Sequence, residues 1–166
     1  MRIKELRAGD ELQYSGELLI MRDAAQKRLK KMLDEGEELP VSLDGTIIFY
    51  AGPAKPSKNF FGAIGPTTSA RMDSFLEMLY LEGVLATIGK GNRSQKAVSL
   101  CKNYERVYFL TPSGAAAALA GRISSMRIEA FDDLGTEAIF RVQVRDFPLF
   151  VAIDSYGNDI FFMNRG

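Results

Sequence analysis

Histidine is absent from this 166-residue chain. That removes the commonest general acid/base and the commonest metal ligand. Any catalysis must then use Thr, Ser, Tyr, Lys, Arg, Asp or Glu, or lean on another subunit. There is one cysteine, Cys101, so no internal disulfide can form and these residues cannot hold a metal cluster through several thiolates. Net charge is also missing: Lys+Arg and Asp+Glu both total 21. The balance gives no reason to expect a nucleic-acid or acidic-membrane partner. No apolar run approaches the ~18 residues of a membrane span. The opening MRIKELRAGDELQ has no apolar stretch like that of a signal peptide. The expected location is the cytoplasm.

What is present fits one α/β domain over 1–166. Hydrophobic residues make up 46% and charged residues 25%, enough for an ordinary core. A chain of this length can bury roughly 70% of its unfolded surface. ELQYSGELLIM (11–21) reads as a strand and its exit, and DAAQKRLKKMLDEG as a helix stopped by Gly36. The helical spacing is carried by Ala24, Leu29, Met32 and Leu33. LDGTIIFY (43–50) ends in a buried strand. Residues 51–66, AGPAKPSKNFFGAIGP, form a long loop of the kind that usually carries function. A helix is expected from near Thr67 to about Leu81, with an apolar stripe of Met72, Phe75, Leu76 and Leu79. VLATIG and RVYFL read as strands, SQKAVSLCKN as a helix, and PSGAAAALAG as an alanine-rich helix from Pro112. From Ile123 onward the texture is strand-like, in RISSMRIEAF, EAIFRVQVRDF and PLFVAIDSYGND. FRVQVRDF alternates, with Phe140, Val142 and Val144 on one face. The sum is a mixed sheet.

Three segments could carry chemistry. GPTTSARMD (65–73) places Thr67 and Arg71 four apart, on one helix face. A helix start adds free N–H groups and partial positive charge, so the stretch can take a carboxylate or phosphate. The plainer reading has Pro66 opening the helix, one hydroxyl capping it and Arg71 in solvent. GKGNRS (89–94) surrounds Lys90 with glycines before a helix, but lacks the spacing of a P-loop. In MRDAAQK (21–27), Arg22 sits at the carboxyl end of a strand, where α/β proteins place ligand contacts, although the local sequence by itself favours a surface salt bridge. Asp23 is a candidate N-cap there. Cys101 reads as a small core residue, KRLKK as a solvated helix face, and Tyr104, Tyr108 and Tyr156 as packing residues.

GDELQYSG…RDAAQK, LDGTIIFYAGP, GPTTSARMD, GKGNRS and GTEAIFRVQVRDFPLFVAIDSYGND together resemble the β subunit, or C-terminal domain, of class I fumarate hydratases. L(+)-tartrate dehydratase β subunits are similar. The resemblance runs from about Gly9 to Asp159. It implies a swivelling β/β/α domain like the mobile domain of aconitases. It also implies a hydro-lyase whose site is shared with an α subunit that carries a [4Fe-4S] cluster, in an α2β2 assembly, acting on a small dicarboxylate. By the same resemblance Arg22 and Arg71 would bind substrate carboxylate, with Lys90 beside them. Thr67 would move the proton, Thr68 being the alternative. Many members have histidine where this chain has Gln26. A non-catalytic anion- or partner-binding module is the competing class.

Overall fold

A computed structural model describes residues 1–53, 64–111, 119 and 121–163. The strands are β1 (Glu11–Ile20), β2 (Ile47–Phe49), β3 (Ala51–Pro53), β4 (Ile64–Pro66), β5 (Ala86–Gly89), β6 (Val107–Leu110), β7 (Ile123–Ala130) and β8 (Ile139–Ile153). The α-helices are α1 (Asp23–Asp34), α2 (Leu76–Leu81), α3 (Gln95–Tyr104) and α4 (Ile160–Met163). Short 3-10 helices cover Ile3–Glu5, Ala70–Phe75 and Asp132–Glu137.

The main sheet has the order β1-β2-β5-β6-β8-β7. β1, β2, β5 and β6 run parallel, and β8 is antiparallel to β6 and β7. β8 also pairs with β1, so the sheet closes on itself. The α/β class and the mixed sheet with flanking helices are therefore as the sequence suggests. β3 and β4 form a separate antiparallel pair.

Closure divides the core in two, and period-2 alternation assigns each residue to a side. Leu18, Ile20, Ile47, Phe49, Ile88, Val107 and Phe109 fill the inside of the closed sheet. Their neighbours Leu19, Met21, Ile48, Tyr50 and Tyr108 point outward and pack under the helices. Each such aliphatic or aromatic side chain contributes about 1.5–3 kcal/mol by leaving water.

Several expectations are corrected. EAIFRVQVRDF and PLFVAIDSYGND form one strand, not two. Its alternation slips at Arg145 and Asp146: Phe140, Val142 and Val144 are buried, then Phe147, Leu149 and Val151. Asp146 takes φ 50°, and Ser15 Oγ accepts its N–H at 3.0 Å, so an irregularity replaces a turn. On α1 the fully buried residues are Ala25, Gln26 and Leu29, with Ala24, Met32 and Leu33 only partly covered. The helix expected from Thr67 begins at Ala70 as a 3-10 helix and becomes α-helical at Leu76. Neither start has a side-chain cap, so no hydroxyl of GPTTS caps it. Met72, Leu76 and Leu79 are buried as the stripe requires, but Phe75 is only partly covered. Of the long loop, 54–63 lie outside the described residues, as do 112–118 and 120 of the alanine-rich segment.

Candidate active site

The carboxyl ends of β1, β2 and β5 gather the three segments singled out in the sequence. Backbone hydrogen bonds stitch them together. Tyr50 follows β2 and donates its N–H to Ile88 O at 2.8 Å. Its own carbonyl accepts Thr67 N at 2.8 Å. Thr67 O accepts Lys90 N at 3.2 Å, and Lys90 O accepts Ser69 N at 3.0 Å. Thr68 and Lys90 form an isolated parallel bridge. Thr67, Thr68 and Lys90 are thus held side by side by main chain.

Thr67 is half-buried, and its hydroxyl makes a long bond, 3.4 Å, to Tyr50 O. No carboxylate among the described residues bonds that hydroxyl. Thr68 and Lys90 are exposed.

Arg71 is tied to Asp23, the residue that follows Arg22. Arg71 Nε donates to both Asp23 oxygens, at 3.0 and 3.1 Å. That contact fixes the guanidinium from one side and leaves its two terminal NH2 groups without a partner among the described residues. Asp23 is therefore not an N-cap: Arg22 holds the cap position of α1, and no side chain caps it. Arg22 is partly buried, and its Nε is buried without a hydrogen-bond partner among the described residues. Buried unpaired donors are uncommon and call for an explanation. Gly52 makes room for this side chain: a Cβ there would stand 2.5 Å from Arg22 Nη1 and 3.0 Å from its Cδ.

Below this open face lies a buried polar layer that sequence reasoning missed. Ser69 and Arg93 are buried, and Asp73 nearly so. Arg93 Nε donates to Asp73 at 2.6 Å, Nη1 to Thr87 Oγ1 at 3.0 Å and Nη2 to Tyr50 OH at 3.3 Å. The Tyr108 hydroxyl lies 2.8 Å from both Ser69 Oγ and Gly91 O. A carbonyl only accepts, so the phenol donates to Gly91 and accepts from Ser69. Tyr108 is thus more than the packing residue expected. Burial, the largest influence, raises the pKa of both Tyr50 and Tyr108, and the Arg93 cation opposes it. Both phenols therefore stay neutral. Burial would lower the Arg93 pKa, but Tyr50 and Asp73 outweigh it and the net direction is up.

Gln26 is fully buried; its Nε2 donates to Arg22 O at 3.3 Å and to Met72 Sδ at 3.2 Å. Its amide therefore ties α1 to the Arg71 segment. Cys101 is buried against Tyr80, with its thiol pushed up to about 11 by burial, as fits a core residue. Among the described residues no three His, Cys, Asp or Glu side chains could hold a metal ion.

Cations and hydroxyls thus lie together on an open face of an α/β scaffold, backed by a buried layer in which Arg93 is paired with Asp73. The chain belongs to the fumarase C-terminus family, whose model matches residues 1–164. It is 40% identical over 153 residues to the aerobic class I fumarate hydratase of Escherichia coli (strain K12), covering 90% of this chain and 28% of that protein. It is 37% identical over 163 residues to fumarate hydratase 2 of Leishmania major, covering 96% and 29%. It is 37% identical over 166 residues to a putative L(+)-tartrate dehydratase subunit beta of Methanocaldococcus jannaschii, covering 96% and 85%. The chain thus spans less than a third of the fumarate hydratases it matches.

Proposed function

We propose that this chain is the β component of a hydro-lyase that reversibly hydrates fumarate to L-malate. Its substrate-binding face would complete an active site on a cluster-bearing α subunit. The observation that carries the reading is the open face itself. Arg71, held by Asp23, and Lys90, held by the Thr67–Lys90 backbone bond, both leave their charged ends exposed. A face so fixed and so little enclosed suits a site finished by a second surface.

The chemistry needs such cations. In the dehydration direction a proton leaves a carbon beside a carboxylate, and the resulting dianion is unstable in water. Positive groups placed where that charge builds lower the barrier. Arg22 and Arg71 would clamp the carboxylates through paired N–H donors, and Lys90 would add a point charge. Thr67 would move the proton, with Thr68 as the alternative. An ordinary threonine is a poor base, so a carboxylate must activate it. That carboxylate would come from the partner, since Thr67 bonds only the Tyr50 carbonyl among the described residues.

The residues present do not fit an iron-sulfur cluster: the sole cysteine is buried in the core. The [4Fe-4S] group implied by the family would therefore belong to the partner. A single domain over 1–166, with the swivelling β/β/α architecture of the aconitase mobile domain, would let this face close over substrate and exclude water. An α2β2 assembly in the cytoplasm is part of the same proposal.

A second reading, an L(+)-tartrate dehydratase β subunit, has one specific support. The chain covers 85% of a relative that bears that name, against 28% of the E. coli fumarate hydratase. The test is an anaerobic assay of this chain co-expressed with its cluster-bearing partner, comparing fumarate with L(+)-tartrate. Fumarate turnover supports the first reading and tartrate turnover the second. Turnover of neither by an intact complex leaves an anion-binding module.

A further inference from the structure

Arg93 is a buried cation to which the reaction above gives no task. Its side chain is fully covered and that of Asp73 is 11% exposed. Stability alone is poorly served by such a pair, because desolvation consumes much of the attraction and apolar residues of similar size often do as well. What a guanidinium adds is geometry: several donors held rigidly in one plane.

Those donors reach three different pieces of the site. Asp73 lies two residues beyond Arg71 on the 3-10 helix. Thr87 is on β5, which leads directly into Lys90. Tyr50 follows β2, and its carbonyl holds Thr67. The guanidinium carbon also lies 5.2 Å from the Tyr50 ring centroid and 5.0 Å from that of Tyr108. Tyr108 in turn holds Gly91 and Ser69, the neighbours of Lys90 and Thr68. The second Asp73 oxygen accepts Ser94 N at 2.9 Å, so both ends of the carboxylate are used. Gly89 keeps the layer tight, since a Cβ there would overlap Ser69 Oγ.

We propose that Arg93 is a positioning residue, whose guanidinium locks the Lys90 turn and the 67–73 segment into one unit that presents Thr67, Arg71 and Lys90 in a fixed relation. It touches no substrate. Its activity arm rests on the hydro-lyase reading.

The test uses Arg93→Lys in the assembled two-chain enzyme. Lysine keeps a charge for Asp73 and loses the fork to Thr87 and Tyr50. The variant should fold with the circular dichroism of the parent, and kcat should fall about a hundredfold, the scale of a misplaced catalytic constellation. KM should change by less than about threefold, because ground-state carboxylate binding tolerates more displacement than the transition state. A folded Arg93→Lys enzyme with parental kcat overturns the proposal. A parent complex that turns over neither acid overturns the hydro-lyase reading instead.

A second measurement needs no turnover. In Thr87→Val, which keeps the shape and removes one acceptor, the amides of 67–73 and 89–94 should exchange about tenfold faster while β1 and β8 are unchanged. Uniform acceleration through the sheet would mark a merely structural residue and overturn the proposal, as would no change at all.

Discussion

Two regions of this molecule treat their charged side chains in opposite ways. On the ribbon of β1, β7 and β8, Glu17, Arg127, Glu129 and Arg141 are matched to one another. Arg141 donates to Glu17 at 2.8 Å and to Glu129 at 3.2 Å, Gln143 fills the other Glu17 oxygen at 2.9 Å, and Arg127 adds a second contact to Glu129. These partners hold the Glu129 carboxyl below its usual range: the Arg141 hydrogen bond is the largest influence, and Arg127 adds to it. At the carboxyl ends of the parallel strands the matching stops halfway. Among the described residues Arg71 is engaged only through Nε, Arg22 Nε has no hydrogen-bond partner, and Lys90 is exposed. The same residue types thus serve two ends. Where the chain supplies both signs, the charges are spent on the fold. Where its cations outnumber the carboxylates beside them, charged ends are left exposed, which is what the proposed substrate face requires.

The largest effect should come from removing an incompletely matched cation. Arg71→Ala should lower turnover of the assembled enzyme by roughly 10³-fold or more, with circular dichroism unchanged. A melted domain would move Arg71 to the structural side of the comparison. Next, Thr67→Ala should cost about 10²–10⁴ in kcat, the range of a proton-transfer group, and Thr67→Ser should recover part of it. Full activity in Thr67→Ala with loss in Thr68→Ala would exchange their roles.

On the matched side the readout is stability. Asp154 is buried and accepts the N–H groups of Ala8, Tyr156 and Asn158, plus the Asn158 side chain. Burial, the largest influence, would raise its pKa, but these donors together outweigh it and the direction is down. Asp154→Asn should destabilise by about 1–3 kcal/mol at neutral pH in denaturant unfolding. A lowered folded pKa gives stability that is complete above the unfolded value, about 3.9, and lost as pH falls through the folded one. The gap between parent and variant should therefore be flat near pH 7 and shrink below about pH 4. The smallest effect is expected for Arg141→Met: stability within about 1 kcal/mol, since Glu17 can return to water, and turnover unchanged.

The sequence carries much of this, unevenly. The alternation of Phe140, Val142 and Val144 and the apolar stripe of Met72, Phe75, Leu76 and Leu79 are local patterns; the first holds as far as Val144 and the second at all but the partly covered Phe75. Arg22, Thr67, Thr68, Arg71 and Lys90 were legible through short motifs and a family resemblance, and the fold brings their segments together. The cap of the 67–81 helix was not legible, because Ser69 has a better partner in Tyr108, a residue 39 positions away. The Arg93 layer was hidden for the same reason. Arg93 and Asp73 look like two surface charges until the fold sets Arg93 against Tyr50 and Tyr108 and pairs it with Asp73. An acid in GPTTSARMD, Asp73, and a second cation in GKGNRS, Arg93, were the one available hint.

The most direct test of the half-site is reconstitution from separately purified chains under anaerobic conditions. This chain alone, the cluster-bearing chain alone and the mixture are each assayed for malate formation from fumarate. The account predicts turnover in the mixture only, lost when the Arg71→Ala chain replaces the parent. Equal turnover by the cluster-bearing chain alone, or full turnover with the Arg71→Ala chain, would contradict it.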